Sequence, residues 1–189
     1  MSIHRISPKA GWCDQRKLLK GPNGRNLCRQ CGEEVPSCRR TFCSERCVDE
    51  WNIRTNPGFA RRKVFERDKG VCCLCGVDTV AVEQELRELR GQARRLLYGH
   101  DDSGWVHSYL GRLYDDTPFG HRIHQLWLPR HLRGLTQSLW EMDHTKPVSE
   151  GGGECGLDNL RTLCWACHAK ATRELAKRRA RWWQLELAF

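Results

Sequence analysis

Residues 141–172 read EMDHTKPVSEGGGECGLDNLRTLCWACHAKAT, and the order of elements in this stretch decides the fold. Trp140 to His144 reads as a strand, Gly151 to Gly153 as a turn, and residues 160–163 as a second short strand, with a helix from about residue 165. The order is strand, loop, strand, helix, so the class is α+β. Four polar residues are spaced through it: Asp143, His144, Asn159 and His168. Neighbouring strand residues face opposite sides unless the strand ends or bulges. At a strand end, Asp143 could hold a divalent metal while His144 faces a water. His168 follows Cys167 in the first helical turn, where a metal knuckle would pin it. Asn159 stands just before the second strand, where its amide could orient His144 or touch the metal. Glu141 points the same way as Asp143 and either supports the metal's water shell or is an exposed strand residue. Each of the four also has an ordinary reading: a surface histidine, a turn asparagine, a capping aspartate, a histidine replacing a cysteine at zinc. Together, at these intervals and beside a cysteine pair, they favour the chemical reading.

The twelve cysteines sort by spacing. Cys28, Cys31, Cys43 and Cys47 form C-x2-C-x11-C-x3-C, the spacing of a four-thiolate zinc site. Cys38 lies inside that loop as a spare. Cys72 and Cys75 form a second C-x2-C, Cys164 and Cys167 a third, and 88 residues lie between them. Each of these pairs is incomplete alone and is the other's one well-spaced partner, so a second four-cysteine zinc is expected. Both zincs should be structural, because four thiolates leave no open position for water or substrate. Cys13, Cys73 and Cys155 have no spacing logic and read as ordinary thiols.

The chain has 189 residues and 39% apolar residues, which suits one domain with a small satellite and a lean core. The formal charge is +9, with a net of +8 over residues 1–71, −2 over 72–172 and +3 over 173–189. Two basic ends around a neutral middle suit a polyanion such as DNA, although most surface charge is simply solvated. No apolar run reaches a membrane span. The N-terminal MSIHRISPKAGW lacks the apolar stretch of a signal peptide, so the expected location is cytoplasmic, nucleoid-associated or nuclear, not secreted. Thiols in a reducing compartment read as metal ligands rather than disulfides.

Further along the chain, residues 44–54 read as a helix with Ser44 as N-cap. Asn56-Pro57-Gly58 reads as a break, followed by a helix over 59–69. Residues 83–98 place Leu86, Leu89, Ala93, Leu96 and Leu97 on one stripe, an amphipathic helix that Gly91 weakens by about 1 kcal/mol. Residues 99–120 carry no firm assignment, and 121–133 read as a short helix ended near Pro129. The expected organisation is a zinc-binding region over 1–58 and a second domain over 59–189, with a helical insertion at about 81–138 and a basic C-terminal helix. Arg178, Arg179 and Arg181 on that helix, with Arg173 and Lys177, are candidate nucleic-acid contacts. Arg61-Arg62-Lys63 and Arg39-Arg40 are weaker ones. Trp182 and Trp183 either stack on bases or pack beside Leu185 and Leu187.

The stretch 141–172 resembles an HNH endonuclease, the ββα-metal fold. It carries DH-x2-PV-x3-GG, then DNL-x2-LC-x2-CH-x-K. VFERDKG before Cys72 and GVD after Cys75 extend the likeness upstream. The wider layout is similar to the HNH module at the end of the zinc-finger annealing helicases and to free-standing bacterial HNH proteins. The resemblance implies a metal-dependent phosphodiesterase acting on DNA. In it His144 matches the general base, Asp143 and His168 match ligands of a catalytic Mg²⁺ or Mn²⁺, and Asn159 matches the middle residue that either binds metal or orients the histidine.

Three readings compete. The first is an active nuclease in which His144, neutral near pH 7, takes the proton of the attacking water. The second is a zinc-stapled DNA-binding or adaptor protein without cleavage, and the third a purely structural module. All four chemical positions are intact, which speaks against the second; the basic excess speaks against the third. One such site cuts one strand, so a double-strand break calls for a dimer or two events.

Overall fold

The computed structural model describes residues 13–98 and 116–186. The chain forms two compact units, one of residues up to 67 together with 144–161, the other of 68–143 together with residues from 162 onward. The division runs through both strands of the two-stranded sheet, β1 (Trp140–His144) and β2 (Leu160–Cys164). The Trp165 N–H donates to the Leu139 carbonyl at one end of the ladder and the Thr145 N–H to the Asn159 carbonyl at the other, so the strands are antiparallel.

In the first unit, bridges Lys20–Asn26 and Leu27–Glu34 lead into the first cysteine knuckle. Helix α1 (Glu45–Thr55) starts as expected: the Ser44 hydroxyl accepts from the Cys47 N–H. Helix α2 (Pro57–Asp68) starts two residues earlier than its spacing suggests. The Asn56 side chain accepts from the Phe59 N–H at 3.1 Å, and Pro57 takes the first helical position, where a missing N–H costs nothing. The break expected at 56–58 is therefore a helix start. The apolar centre of this unit's knuckle is small: Cys28, Val35 and Cys47 are buried, with Phe42 and Cys43 against them. Beside it the buried Arg29 lays its guanidinium 4.3 Å from the Trp51 ring centroid and 5.5 Å from that of Phe42.

The second unit has the larger core. Asp78 caps helix α3 (Thr79–Tyr98), its carboxylate accepting from the Val80 and Ala81 N–H groups. Val82, Leu86 and Ala93 of α3 bury against Phe119 and Ile123 of α4 (Pro118–Gln125), with Leu128, Leu132, Leu135 and Leu139. Of the expected stripe, Leu86 and Ala93 are buried and Leu89 packs on the core, but Leu96 is 74% exposed; the Leu97 side chain lies outside the described residues. The Arg122 guanidinium of α4 grips both carboxylate oxygens of Glu85, at 2.9 and 3.0 Å. Where a short helix within 121–133 ended near Pro129 was expected, α4 already ends at Gln125, and Pro129 instead precedes a second short helix, α5 (Arg130–Arg133). Glu83 accepts from the Leu139 N–H at 2.6 Å and so fixes the entry to β1. β2 runs directly into α6 (Trp165–Glu186). Residues 99–115 of the expected insertion lie outside the described residues, as do the side chains of Trp182, Trp183, Leu185 and Leu187. Among the described residues no helix is long and apolar enough to cross a membrane.

Candidate functional site

The strand, loop, strand and helix expected over 140–172 carry the four chemical residues. β1 ends on His144, which is half-buried, as is Asp143 before it. A strand end lets adjacent side chains escape strict alternation. Asn159 closes the 3₁₀ turn Leu157–Asn159 that feeds β2, and the half-buried His168 lies in the first turn of α6.

Asn159 clamps the loop that follows His144. Its side-chain oxygen accepts from the Lys146 N–H at 2.8 Å, and its amide nitrogen donates to the carbonyls of Lys146 at 3.1 Å and Gly152 at 2.9 Å. A side-chain amide thus substitutes for a backbone partner across the loop. The clamp needs two glycines. Gly151 has φ of +85°, and a Cβ on Gly152 would run into the Lys146 carbonyl. Of the two roles open to Asn159, this geometry engages it with the backbone two residues past His144.

The eight paired cysteines converge as two tetrads, Cys28/Cys31/Cys43/Cys47 and Cys72/Cys75/Cys164/Cys167, and within each the four sulfurs lie within 4.8 Å of one another. Cys31 and Cys43 sit 3.5 Å apart, Cys43 and Cys47 3.4 Å, Cys75 and Cys164 3.7 Å. Four sulfurs at about 2.3 Å from a tetrahedral zinc stand about 3.8 Å apart, so both tetrads fit one. Among the described residues these are the groups of three or more metal-binding side chains that converge in this way; Asp143, His144 and His168 belong to no such group, and neither does Cys38.

The electrostatics of the two tetrads match. Burial pushes the Cys28 thiol up, but backbone N–H groups of Cys31, Cys43 and Gln30 outweigh it and hold it at about 7. Cys72 is held at about 7 in the same way, by the backbone of Cys164, Cys75 and Leu74 against burial. Burial and the neighbouring thiols push Cys47 up to about 12, and they push Cys31, Cys164 and Cys167 up as well. One sulfur in each tetrad is ready to ionise and two of its neighbours resist, a conflict that a bound cation would relieve.

The basic candidates divide. Arg39 pairs with Glu45 at 2.5 Å, Lys63 with Asp49 at 3.2 Å and Glu66 at 3.4 Å, and Arg62 stacks 4.9 Å over Phe59. These side chains already have acidic or aromatic partners. Arg178, Arg179 and Arg181 are exposed along α6.

The HNH endonuclease family profile matches residues 129–174. The crystal structure of the human ZRANB3 HNH domain is 34% identical in sequence, and this chain covers 97% of it over 69% of its own length. The chain belongs to the HNH endonuclease family. The superposition with that crystal structure has a TM-score of 0.39, so sequence identity and coverage carry the relationship. The human DNA annealing helicase and endonuclease ZRANB3 is 34% identical over 169 residues, 83% of this chain, and its mouse counterpart 32% identical over 180 residues, 87% of this chain. This HNH protein spans only 14% and 15% of the length of those two relatives. The family match includes all four chemical residues with Cys164 and Cys167, and it excludes the first tetrad and the Cys72/Cys75 pair.

One positioning residue of this HNH protein went unread in its sequence. Arg67, at the end of α2, donates to the carbonyls of Leu157 at 2.8 Å and Leu160 at 2.7 Å, which bracket Asn159. Its neighbour Asp68 accepts from the buried Thr162 hydroxyl at 2.9 Å. Both lie in the VFERDKG segment before Cys72, which marked them as part of the HNH resemblance but assigned them no role.

Proposed function

We propose that this HNH protein is an endonuclease that hydrolyses DNA phosphodiester bonds with a divalent metal ion. The observation that carries the reading is the presence of Asp143, His144, Asn159 and His168 within the family-matched span, on the elements expected of them. The imidazole of His144 takes a proton from water as the water oxygen bonds to phosphorus. The phosphorus–oxygen bond to the leaving strand end breaks, and that oxygen gains a proton from solvent. Asp143 and His168 would hold Mg²⁺ or Mn²⁺ through one carboxylate and one imidazole. When bound there, such an ion would neutralise charge that develops on the phosphate and the leaving oxygen. Asn159 holds the backbone after His144 by its three bonds to Lys146 and Gly152. Arg178, Arg179 and Arg181 contact the phosphate backbone, and the two tetrads hold structural zinc.

The test is nicking of supercoiled plasmid by the zinc-loaded protein with Mg²⁺, with Mn²⁺ and with no added divalent ion. Metal-dependent nicking that disappears in His144→Ala supports the assignment. A folded protein that binds DNA and nicks it under none of these conditions is the adaptor reading instead.

A further inference from the structure

The corner between α4 and α5 places a tryptophan where chain chemistry favours glycine. α4 ends with the Leu128 N–H donating to the Ile123 carbonyl at 3.1 Å and the Trp127 N–H to the His124 carbonyl at 3.0 Å. That pair of bonds is a Schellman ending, and the residue at its left-handed position is usually glycine. Here it is Trp127, with φ of +51° and 89% of its surface exposed. A bulky side chain at positive φ costs backbone energy, and burial recovers none of it. The corner is fixed from several sides. Leu128 and Leu132 bury in the core, and the Arg133 guanidinium donates to the Leu128 carbonyl at 3.0 Å. The Trp165 indole N–H donates to the Leu126 carbonyl at 3.3 Å.

That last bond gives the corner a place. Trp165 opens α6, three residues and less than one turn before His168. The exposed indole therefore sits one residue from a backbone group tied to the start of the helix that carries His168. The exposed Arg130 follows three residues later, whereas Arg122 of the preceding helix is already paired with Glu85. A flat, exposed aromatic face near an exposed arginine suits a nucleobase whose phosphates lie alongside.

We propose that Trp127 is a stacking platform for an unpaired nucleobase, so that the protein prefers DNA with a single-stranded segment. The proposal rests on the DNA-binding part of the proposed function, not on cleavage. In a fully paired duplex both faces of a base are already stacked, and Trp127 has nothing to receive.

The experiment measures binding of the zinc-loaded full chain to a fluorescent oligothymidylate and to a blunt duplex, across a salt series, for wild type, Trp127→Ala, Trp127→Phe and Trp127→Gly. Trp127→Ala should weaken single-strand binding about 5- to 150-fold, the range of one base–aromatic stack. The salt slope should not change, because stacking releases no counterions. Trp127→Phe should keep most of the affinity, and duplex binding should be the same in all four proteins. Trp127→Gly fits the left-handed backbone, so it should melt no lower than wild type while binding as weakly as the alanine variant. Unchanged single-strand affinity in Trp127→Ala, an equal loss on duplex, or a lower melting temperature for Trp127→Gly overturns the proposal. A changed sedimentation of the Trp127→Ala protein alone would assign the surface to a second copy of the chain and overturn it too. Plasmid nicking by wild type is scored separately, so a protein that loses single-strand affinity but never nicks would sink the nuclease reading and leave Trp127 standing.

Discussion

The two cysteine tetrads start from the same turn and end in different architectures. In both, the first cysteine N–H donates five residues ahead, Cys28 to Glu33 at 2.7 Å and Cys72 to Val77 at 2.9 Å. In both, the second cysteine pair straddles the start of a helix, α1 or α6. The first tetrad draws its ligands from Cys28 to Cys47, and the apolar cluster around it consists of Val35 and Phe42 besides cysteines. There a bound metal would stand in for a core. The second tetrad has 88 residues between its two halves, and its cluster shares Val77 and Trp165 with the larger core of the second unit. There a bound metal would fasten an existing core to β2 and to the helix that carries His168. Equal ligand chemistry thus does different structural work according to how much apolar surface surrounds it.

The largest effect that would break this contrast is expected from Cys164→Ser. Structural zinc binding contributes about 10–16 kcal/mol, comparable to or above a whole domain's stability of about 5–15 kcal/mol. The variant should hold one zinc, lose its cooperative thermal transition and lose all cleavage; elemental analysis, calorimetry and plasmid nicking read the three. His144→Ala comes next, with nicking reduced about 10²- to 10⁴-fold and both zincs and the melting curve intact. Asp143→Ala should look similar at low metal but recover in part at high Mg²⁺ or Mn²⁺, whereas no metal concentration restores His144→Ala. Cys28→Ser should also drop the zinc count to one, yet leave the transition of the α3–α4 core in place; a variant that loses that transition as Cys164→Ser does would erase the distinction between the tetrads. The smallest effect belongs to the combined Arg178→Ala, Arg179→Ala, Arg181→Ala protein. Its DNA affinity should depend less steeply on salt, by about 3 in log–log slope at most, with zinc content and melting unchanged.

The parts of this molecule legible in its sequence are those set by short-range chemistry. Ser44 announces α1 because a hydroxyl before a helix has one obvious use, and the glycines at 151–153 announce the loop because few other residues can form it. The same logic misleads at Pro57 and Pro129, since proline opens a helix as readily as it ends one. Leu96 fits the stripe of α3 but stands exposed, because periodicity says which face an apolar residue is on and not where the partner stops. The tetrads were legible from spacing even across 88 residues, because unpaired knuckles need partners. Arg67 and Trp127 were not. A guanidinium 90 residues from the carbonyl it grips leaves no local pattern, and nothing in the composition around Trp127 distinguishes an exposed left-handed tryptophan from a packed one.

The distance along the chain between Cys75 and Cys164 has a consequence for how this protein can change. With metal bound, everything from residue 76 to 163 is an excursion from a ring that closes at the sulfurs. The entropic cost of such a ring grows only with the logarithm of its length, about 0.6 kcal/mol for each doubling. Tens of residues can therefore enter or leave the excursion for less than the value of one buried methylene group, about 0.8 kcal/mol. The segment before β1 is the natural place for this scaffold to acquire new recognition surfaces, while Asp143, His144, Asn159 and His168 stay on β1, on the turn into β2 and on α6.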